Sequence, residues 1–159
     1  MAFMAKDKIV RTGEDLNLST LVGIVNALGG EPITSSNRIE KIAVVDLTAN
    51  PDDSDGGVLA WANPEGVPIV VTRLLVNISD ASGGTGTINF GVAADATTAS
   101  DTLIDGTDAE VAGFVCNIKN AGTNGKSAAT MSATQFLTGT ASAPLTTFAG
   151  TAYIHYVLA

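Results

Sequence analysis

The chain has 159 residues, enough for one domain with a well-buried core, and its single cysteine, Cys116, excludes an intramolecular disulfide framework, so stability must come from packing. Only 15% of the residues are charged and the net charge is −8, against an ordinary charged share of about 25%. Residues 1–41 hold five basic and five acidic residues, while residues 42–159 hold three basic ones (Arg73, Lys119, Lys126) and eleven acidic, which argues against nucleic-acid binding by the body, because phosphate contact needs clustered Lys and Arg.

A chain this poor in charge and rich in Gly, Ala, Ser and Thr either coats itself with small hydroxyl residues or hides part of its exterior against other subunits, and both are expected here. The opening "MAFMAKDKIV" turns charged at Lys6 without an apolar stretch behind it, and no apolar run approaches membrane length. The expectation is a protein made in a cytoplasm, with no membrane partner.

In "EDLNLSTLVGIVNALGGEPI", Leu18, Leu21, Val22, Val25 and Leu28 recur at the spacing that lines one face of a helix. Asp15, Asn17 and Ser19 are candidate N-caps, Gly29-Gly30 supplies the stop and Pro32 forbids a restart. The spacing predicts a helix over about residues 17–28 within an N-terminal arm, residues 1–41. Three turns are marginal alone, so the stripe docks either on its own body or on a neighbouring molecule.

From Ile42 the period changes to two, and residues 42–159 read as one β-domain. In "VPIVVTRLLVNIS" the even positions Val70, Thr72, Leu74, Val76 and Ile78 make an apolar face, which leaves Ile69, Val71 and Leu75 on the outer side with Arg73, Asn77 and Ser79. In "GTGTINFGVAAD", Ile88, Phe90 and Val92 point inward. Further strands are expected at "IAVVDL", "GGVLAWA", "GFVCNIK", "TQFLTGT" and "TAYIHYVLA". Turn-rich stretches separate them, among them "NPDDSDGG", "SDASGGTG" and "DATTASDTLIDGTD". Seven or eight short strands with no helix after residue 30 indicate an all-β body, an antiparallel β-sandwich or jelly roll.

"NAGTNGKS", residues 120–127, ends like a nucleotide-binding loop, G-x-x-x-x-G-K-[ST]. Its first position is Asn120, and the 32 residues after Ser127 are too few for the βα units such a fold still needs. The expectation is a polar turn built on Gly122, Asn124 and Gly125.

Nothing else names a chemistry. His155 is the only histidine, and its alternation puts it with Thr151, Tyr153 and Val157, opposite Ala152, Ile154, Tyr156 and Leu158. Cys116 shares a face with Ala112, Phe114 and Ile118 and reads as a buried thiol, on the other side from His155, so no Cys–His pair is expected. There is no G-x-S-x-G motif. The acids gather in two loops, Asp52, Asp53 and Asp55, then Asp101, Asp105, Asp108 and Glu110. Counting twelve from Asp52 reaches Asn63, so an EF-hand fails; the acids read as solvated turn residues, with a looser calcium site between loops as the alternative. Trp61, Tyr153 and Tyr156 are the aromatics left for a sugar platform. We expect no enzyme and no cofactor.

Together, "DLNLSTLVGIVNALGG", the Gly/Ala/Thr-rich body containing "WANPEGVPIVVTRLLVNIS" and "VAADATTASDTLIDG", and the closing "GTAYIHYVLA" resemble small virion proteins of tailed bacteriophages, in particular head decoration (cement) and head-fibre proteins. The resemblance covers most of the chain. It implies a homotrimer on the outside of a capsid, partnered by the major capsid protein. Leu18, Leu21, Val25 and Leu28 are then the expected capsid contact, and Ile69, Val71 and Leu75 the expected self-association residues. A carbohydrate-binding adhesin of a tail fibre or baseplate is the alternative.

Overall fold

The computed structural model describes residues 39–48 and 57–159. The helix expected at 17–28, with Leu18, Leu21, Val25 and Leu28, and the acids Asp52, Asp53 and Asp55 lie outside the described residues. Within them the chain forms nine strands and no helix: β1 (Lys41–Thr48), β2 (Leu59–Ala62), β3 (Ile69–Asp80), β4 (Thr87–Ala93), β5 (Ile104–Asp108), β6 (Gly113–Cys116), β7 (Ala129–Met131), β8 (Phe136–Ala141) and β9 (Ala149–Leu158).

The strands make two antiparallel sheets packed as a β-sandwich. The first runs β1-β9-β3-β6, with β7 also on β3, and the second runs β2-β8-β4-β5. The core lies between them. Leu74, Val76, Ile78, Ala152 and Ile154 enter it from the first sheet; Leu59, Ile88, Phe90, Ile104 and Leu137 enter from the second. These are the alternate positions that a period of two selects for one face of a sheet.

The long strand β3 departs from that rule once. Its register against β9 shifts between Val71 and Arg73, so Thr72 is an extra residue and the alternation changes phase across it. Leu74, Val76 and Ile78 face inward as expected. Before the bulge, however, the inward residues are Ile69 and Val71, both 0% exposed. Their assignment to an outer, self-associating surface is therefore corrected: both are core residues, and only Leu75 of that trio lies on the outer face.

β6 and β7 are two pieces of one edge. β6 pairs with β3 at Leu75–Ile78 and β7 pairs with it at Ile69–Val71. Between them the chain leaves the sheet, and Asn117, 1% exposed, closes the gap. Its backbone N–H donates to Leu74 O (3.2 Å). Its side-chain oxygen accepts the Leu74 N–H (2.8 Å), and its amide donates to Lys126 O (3.1 Å) and Ser127 O (2.8 Å). One buried side chain thus replaces a stretch of ladder and holds both ends of the excursion.

That excursion contains "NAGTNGKS". It lies on the edge of the second sheet: Asp105 N–H donates to Ala121 O (2.9 Å) and Lys126 N–H to Thr102 O (3.0 Å). Gly122, at φ 73°, is in the left-handed region that favours glycine. Strand β7 follows Ser127 where a nucleotide-binding loop would start a helix, so the segment is an edge-covering turn.

Candidate interaction surface

The outer faces of the two sheets are finished differently. On the second sheet, residues 94–103 fold over the outward positions of β4 and β8. Thr138 Oγ1 donates to Thr98 O (3.0 Å), and Val92 N–H donates to Thr102 Oγ1 (2.9 Å). A Cβ on Gly91 would stand 2.5 Å from Thr102 N, so the roof sits directly on the strand and only glycine admits it. The roof is tied at its start by Asp95, whose Oδ1 accepts from the N–H and hydroxyl of both Thr97 and Thr98 (2.8–3.0 Å). These bonds, that from the Thr98 hydroxyl first, hold the Asp95 carboxyl below its ordinary pKa.

The first sheet has no such cover among the described residues. Its registers bring outward side chains into rows across the strands. Ile42, His155 and Arg73 form one row; Val44, Tyr153, Leu75 and Cys116 the next; Asp46, Thr151, Asn77 and Phe114 the third. Ile42 is 56% exposed, Val44 61% and Phe114 67%. The middle row is apolar from edge to edge, and Ile42 and Phe114 extend it diagonally. Exposed apolar area of this kind, contiguous and polar-rimmed, marks surfaces that bind other macromolecules.

Charge is confined to the border of this band. Glu40 Oε1 lies 3.5 Å from His155 Nδ1 and accepts a bond from Thr72 Oγ1 (3.1 Å). On the inner side of the same two strands, away from the band, Lys41 Nζ reaches Glu65 Oε2 at 2.7 Å, and Tyr156 OH donates to the other oxygen, Glu65 Oε1, at 2.9 Å. The Lys41 bond and then the Tyr156 bond lower the Glu65 pKa, while burial and the Glu65 bond raise that of Tyr156. Among the described residues β1 pairs as a strand with only one neighbour, β9, and on its other edge only the Thr48 N–H is answered, by Val58 O (3.4 Å). Natural sheets usually blunt or cover such edges.

Several expected site residues fall elsewhere. Phe114 was assigned inward but is exposed, and Ile118, expected beside it in the core, is 62% exposed. The cause is the phase of β6: Val115 is the residue that packs against the core, which turns Phe114 and Cys116 outward. Cys116 is accordingly half-buried on the outer face rather than buried. His155 is on that same face, as its alternation required, so the two are not on opposite sides as expected. β3 lies between their strands and no hydrogen bond joins them.

Trp61 points inward and packs on Tyr156 with ring centroids 5.5 Å apart, so these two do not form an open sugar platform. The acids of the second loop anchor turns. Asp101 accepts from Asn124 Nδ2 (2.9 Å), Asp105 from Asn124 N–H (3.2 Å) and Asp108 from Glu110 N–H (2.8 Å). Among the described residues no three His, Cys, Asp or Glu side chains come together as a metal-binding group, and no helix is long and apolar enough to cross a membrane.

Family models, curated proteins and solved structures were all compared with the chain, and none matches it.

Proposed function

We propose that this chain is a non-enzymatic structural protein of a bacteriophage virion. In this reading it decorates the outside of the head, binds the major capsid protein and associates with itself as a homotrimer. The observation that carries the reading is the apolar band of Val44, Tyr153, Leu75 and Cys116, flanked by Ile42 and Phe114 and uncovered among the described residues. A flank of that composition suits permanent contact with protein, and the acidic remainder keeps assembled copies apart and soluble. The likeness of the sequence to head decoration proteins supports the same role, with the apolar stripe of Leu18, Leu21, Val25 and Leu28 assigned to the shell. The adhesin alternative is less well supported, because Trp61 and Tyr156 are spent on each other in the interior.

Two measurements test the proposal. Purified protein is mixed with phage heads lacking it and sedimented; co-sedimentation that vanishes when residues 1–40 are deleted is expected. Sedimentation equilibrium of the full chain is expected to give a trimer that dissociates on Leu75→Asp. A monomer at all concentrations, together with no binding to heads, would refute the reading.

A further inference from the structure

The loop that covers the edge of the second sheet carries the only Asn-Gly pair of the chain, Asn124-Gly125. An asparagine side chain is open to attack by the backbone nitrogen of the next residue, and glycine, with no Cβ, obstructs that approach least. The fold nevertheless requires both members of the pair. A Cβ on Gly125 would collide with the carbonyl oxygens of Ala121 and Leu103, so no other residue fits there. Asn124 is bracketed by two acids: its Nδ2 donates to Asp101 Oδ2 (2.9 Å) and its N–H to Asp105 Oδ2 (3.2 Å).

The attacking nitrogen is left unrestrained. Gly125 N–H makes no hydrogen bond of ordinary geometry among the described residues, and Asn124 itself is exposed. Two neighbours show the contrast. Asp105-Gly106 has the same small successor, but Gly106 N–H is held by Asn89 Oδ1 at 2.8 Å. Asn120 lies in the same loop, but Ala121 follows it and its side-chain oxygen accepts the Cys116 N–H (3.2 Å).

We propose that Asn124 is a site of spontaneous deamidation, and that its product releases the edge-covering loop. The Gly125 nitrogen loses its proton to solvent and bonds to Asn124 Cγ. The Cγ–Nδ2 bond breaks, and Nδ2 takes up a proton from solvent and leaves as ammonia. Water then opens the cyclic imide at either carbonyl, giving aspartate or isoaspartate with no oxidant or reductant.

Both products place a carboxylate where a donor faced Asp101, with Asp105 on the other side. The Asp101 bond is lost and three like charges converge. Among the described residues the ion pairs lie elsewhere, at Lys41–Glu65 and His155–Glu40, so no cation is bonded to either acid. Isoaspartate also adds a methylene to the backbone beside Gly125, where the Ala121 and Leu103 carbonyls leave no room. The bonds put at risk are Asp105 N–H to Ala121 O and Lys126 N–H to Thr102 O, the two that lay the loop along β5. Their loss opens a strand edge that the loop now covers. This change is independent of the capsid role.

The first test incubates folded full-length protein in mildly alkaline buffer and follows each asparagine by peptide mass spectrometry, with a sample unfolded in urea as reference. Conversion at Asn124 is expected ahead of every other asparagine, as separable aspartate and isoaspartate peptides, at a rate within tenfold of the unfolded chain. Slower conversion than that, or earlier conversion at another asparagine, would overturn the assignment of the site. The second test reads hydrogen exchange. Asn124→Asp is expected to speed exchange at the Asp105 and Lys126 amides at least tenfold at neutral pH. Asp101→Asn with Asn124→Asp exchanges the two partners and restores a donor between them, so exchange should return to the parent rate. Unchanged exchange in the single variant, or no recovery in the double variant, would overturn the release of the loop.

Discussion

The two sheets are built from the same alphabet of small and β-branched residues, yet among the described residues one has a cover on its outer face and the other has none. On the second sheet, residues 94–103 close over Gly91 and Thr138 through hydrogen bonds that threonine hydroxyls supply from both sides, Thr102 from the loop and Thr138 from the strand. On the first, Val44, Leu75 and Tyr153 line up across three strands with no segment above them among the described residues. The contrast teaches that the low charge of the chain has two separate causes. A Ser/Thr-rich loop satisfies backbone groups locally and needs no charge to remain hydrated, whereas an apolar row without charge stays stable in water only as a patch of limited size or as an interface.

The largest effect that bears on this contrast comes from the seam that lets the chain cross from the first sheet to the edge of the second. Asn117→Ala leaves the Leu74 N–H and two loop carbonyls without their buried partner, and a loss of about 3 kcal/mol is expected in urea unfolding. A change within the error of the measurement would show that the excursion does not depend on this residue.

Gly91→Ala attacks the roof directly. The added Cβ meets the backbone nitrogen of Thr102 at 2.5 Å, and backbone cannot step aside as a flexible side chain can. About 1–3 kcal/mol of destabilisation is expected, with new protease cleavage in residues 94–103. Unchanged melting and unchanged cleavage would mean that the roof rests lightly on the sheet.

Val44→Lys sharpens the comparison from the other side. The position is exposed, so the fold should change by no more than about 0.5 kcal/mol, and a lysine on an edge strand is a natural guard against pairing. Self-association measured by sedimentation should nonetheless weaken at least tenfold. A variant that associates like the parent would remove the bare face from the interface.

The smallest effect is on the pH dependence of the roof. Asp95 is held below its ordinary pKa, so its contribution is complete above the unfolded value, about 4, and is lost as pH falls through the lower folded value. Amide exchange in residues 96–99 should therefore accelerate in acid below about pH 4, and Asp95→Asn should flatten that dependence. The pair around Glu65 is expected to act in the same acid direction, while Tyr156, raised, loses its contribution only as pH climbs past the ordinary tyrosine range.

How far the fold was readable depended on strand length. β1, β3, β4, β8 and β9 declare themselves through five or more alternating residues, and β2 and β6 fall inside expected strands. β5 and β7 were missed. "IDGTD" carries glycine and two acids and resembles a turn, and "ATM" is too short for a period to register. Both are strands because a neighbour's ladder holds them. The candidate surface was read in part: Leu75 and the facing of His155 follow from alternation, while Ile42, Val44 and Phe114 belong to it through cross-strand register. Asn117 carried only one local sign, an amide at the end of a strand before a glycine-rich turn, and nothing local distinguishes it from Asn120.

By itself the sequence determined that the body is all-β, a β-sandwich or jelly roll, with an acidic composition, because a period of two and the placement of turn residues are local properties. It also marked "NAGTNGKS" as a polar turn, through Gly122, Asn124 and Gly125. Only the tertiary structure decided which residues face the core once a strand is interrupted. The single extra residue at Thr72 moves Ile69 and Val71 inside, and the phase of β6 turns Phe114 outside, since facing is counted from the partner strand and not from the start of the segment. Which sheet would be roofed was likewise settled in three dimensions, where a loop's hydroxyls meet the backbone they can satisfy.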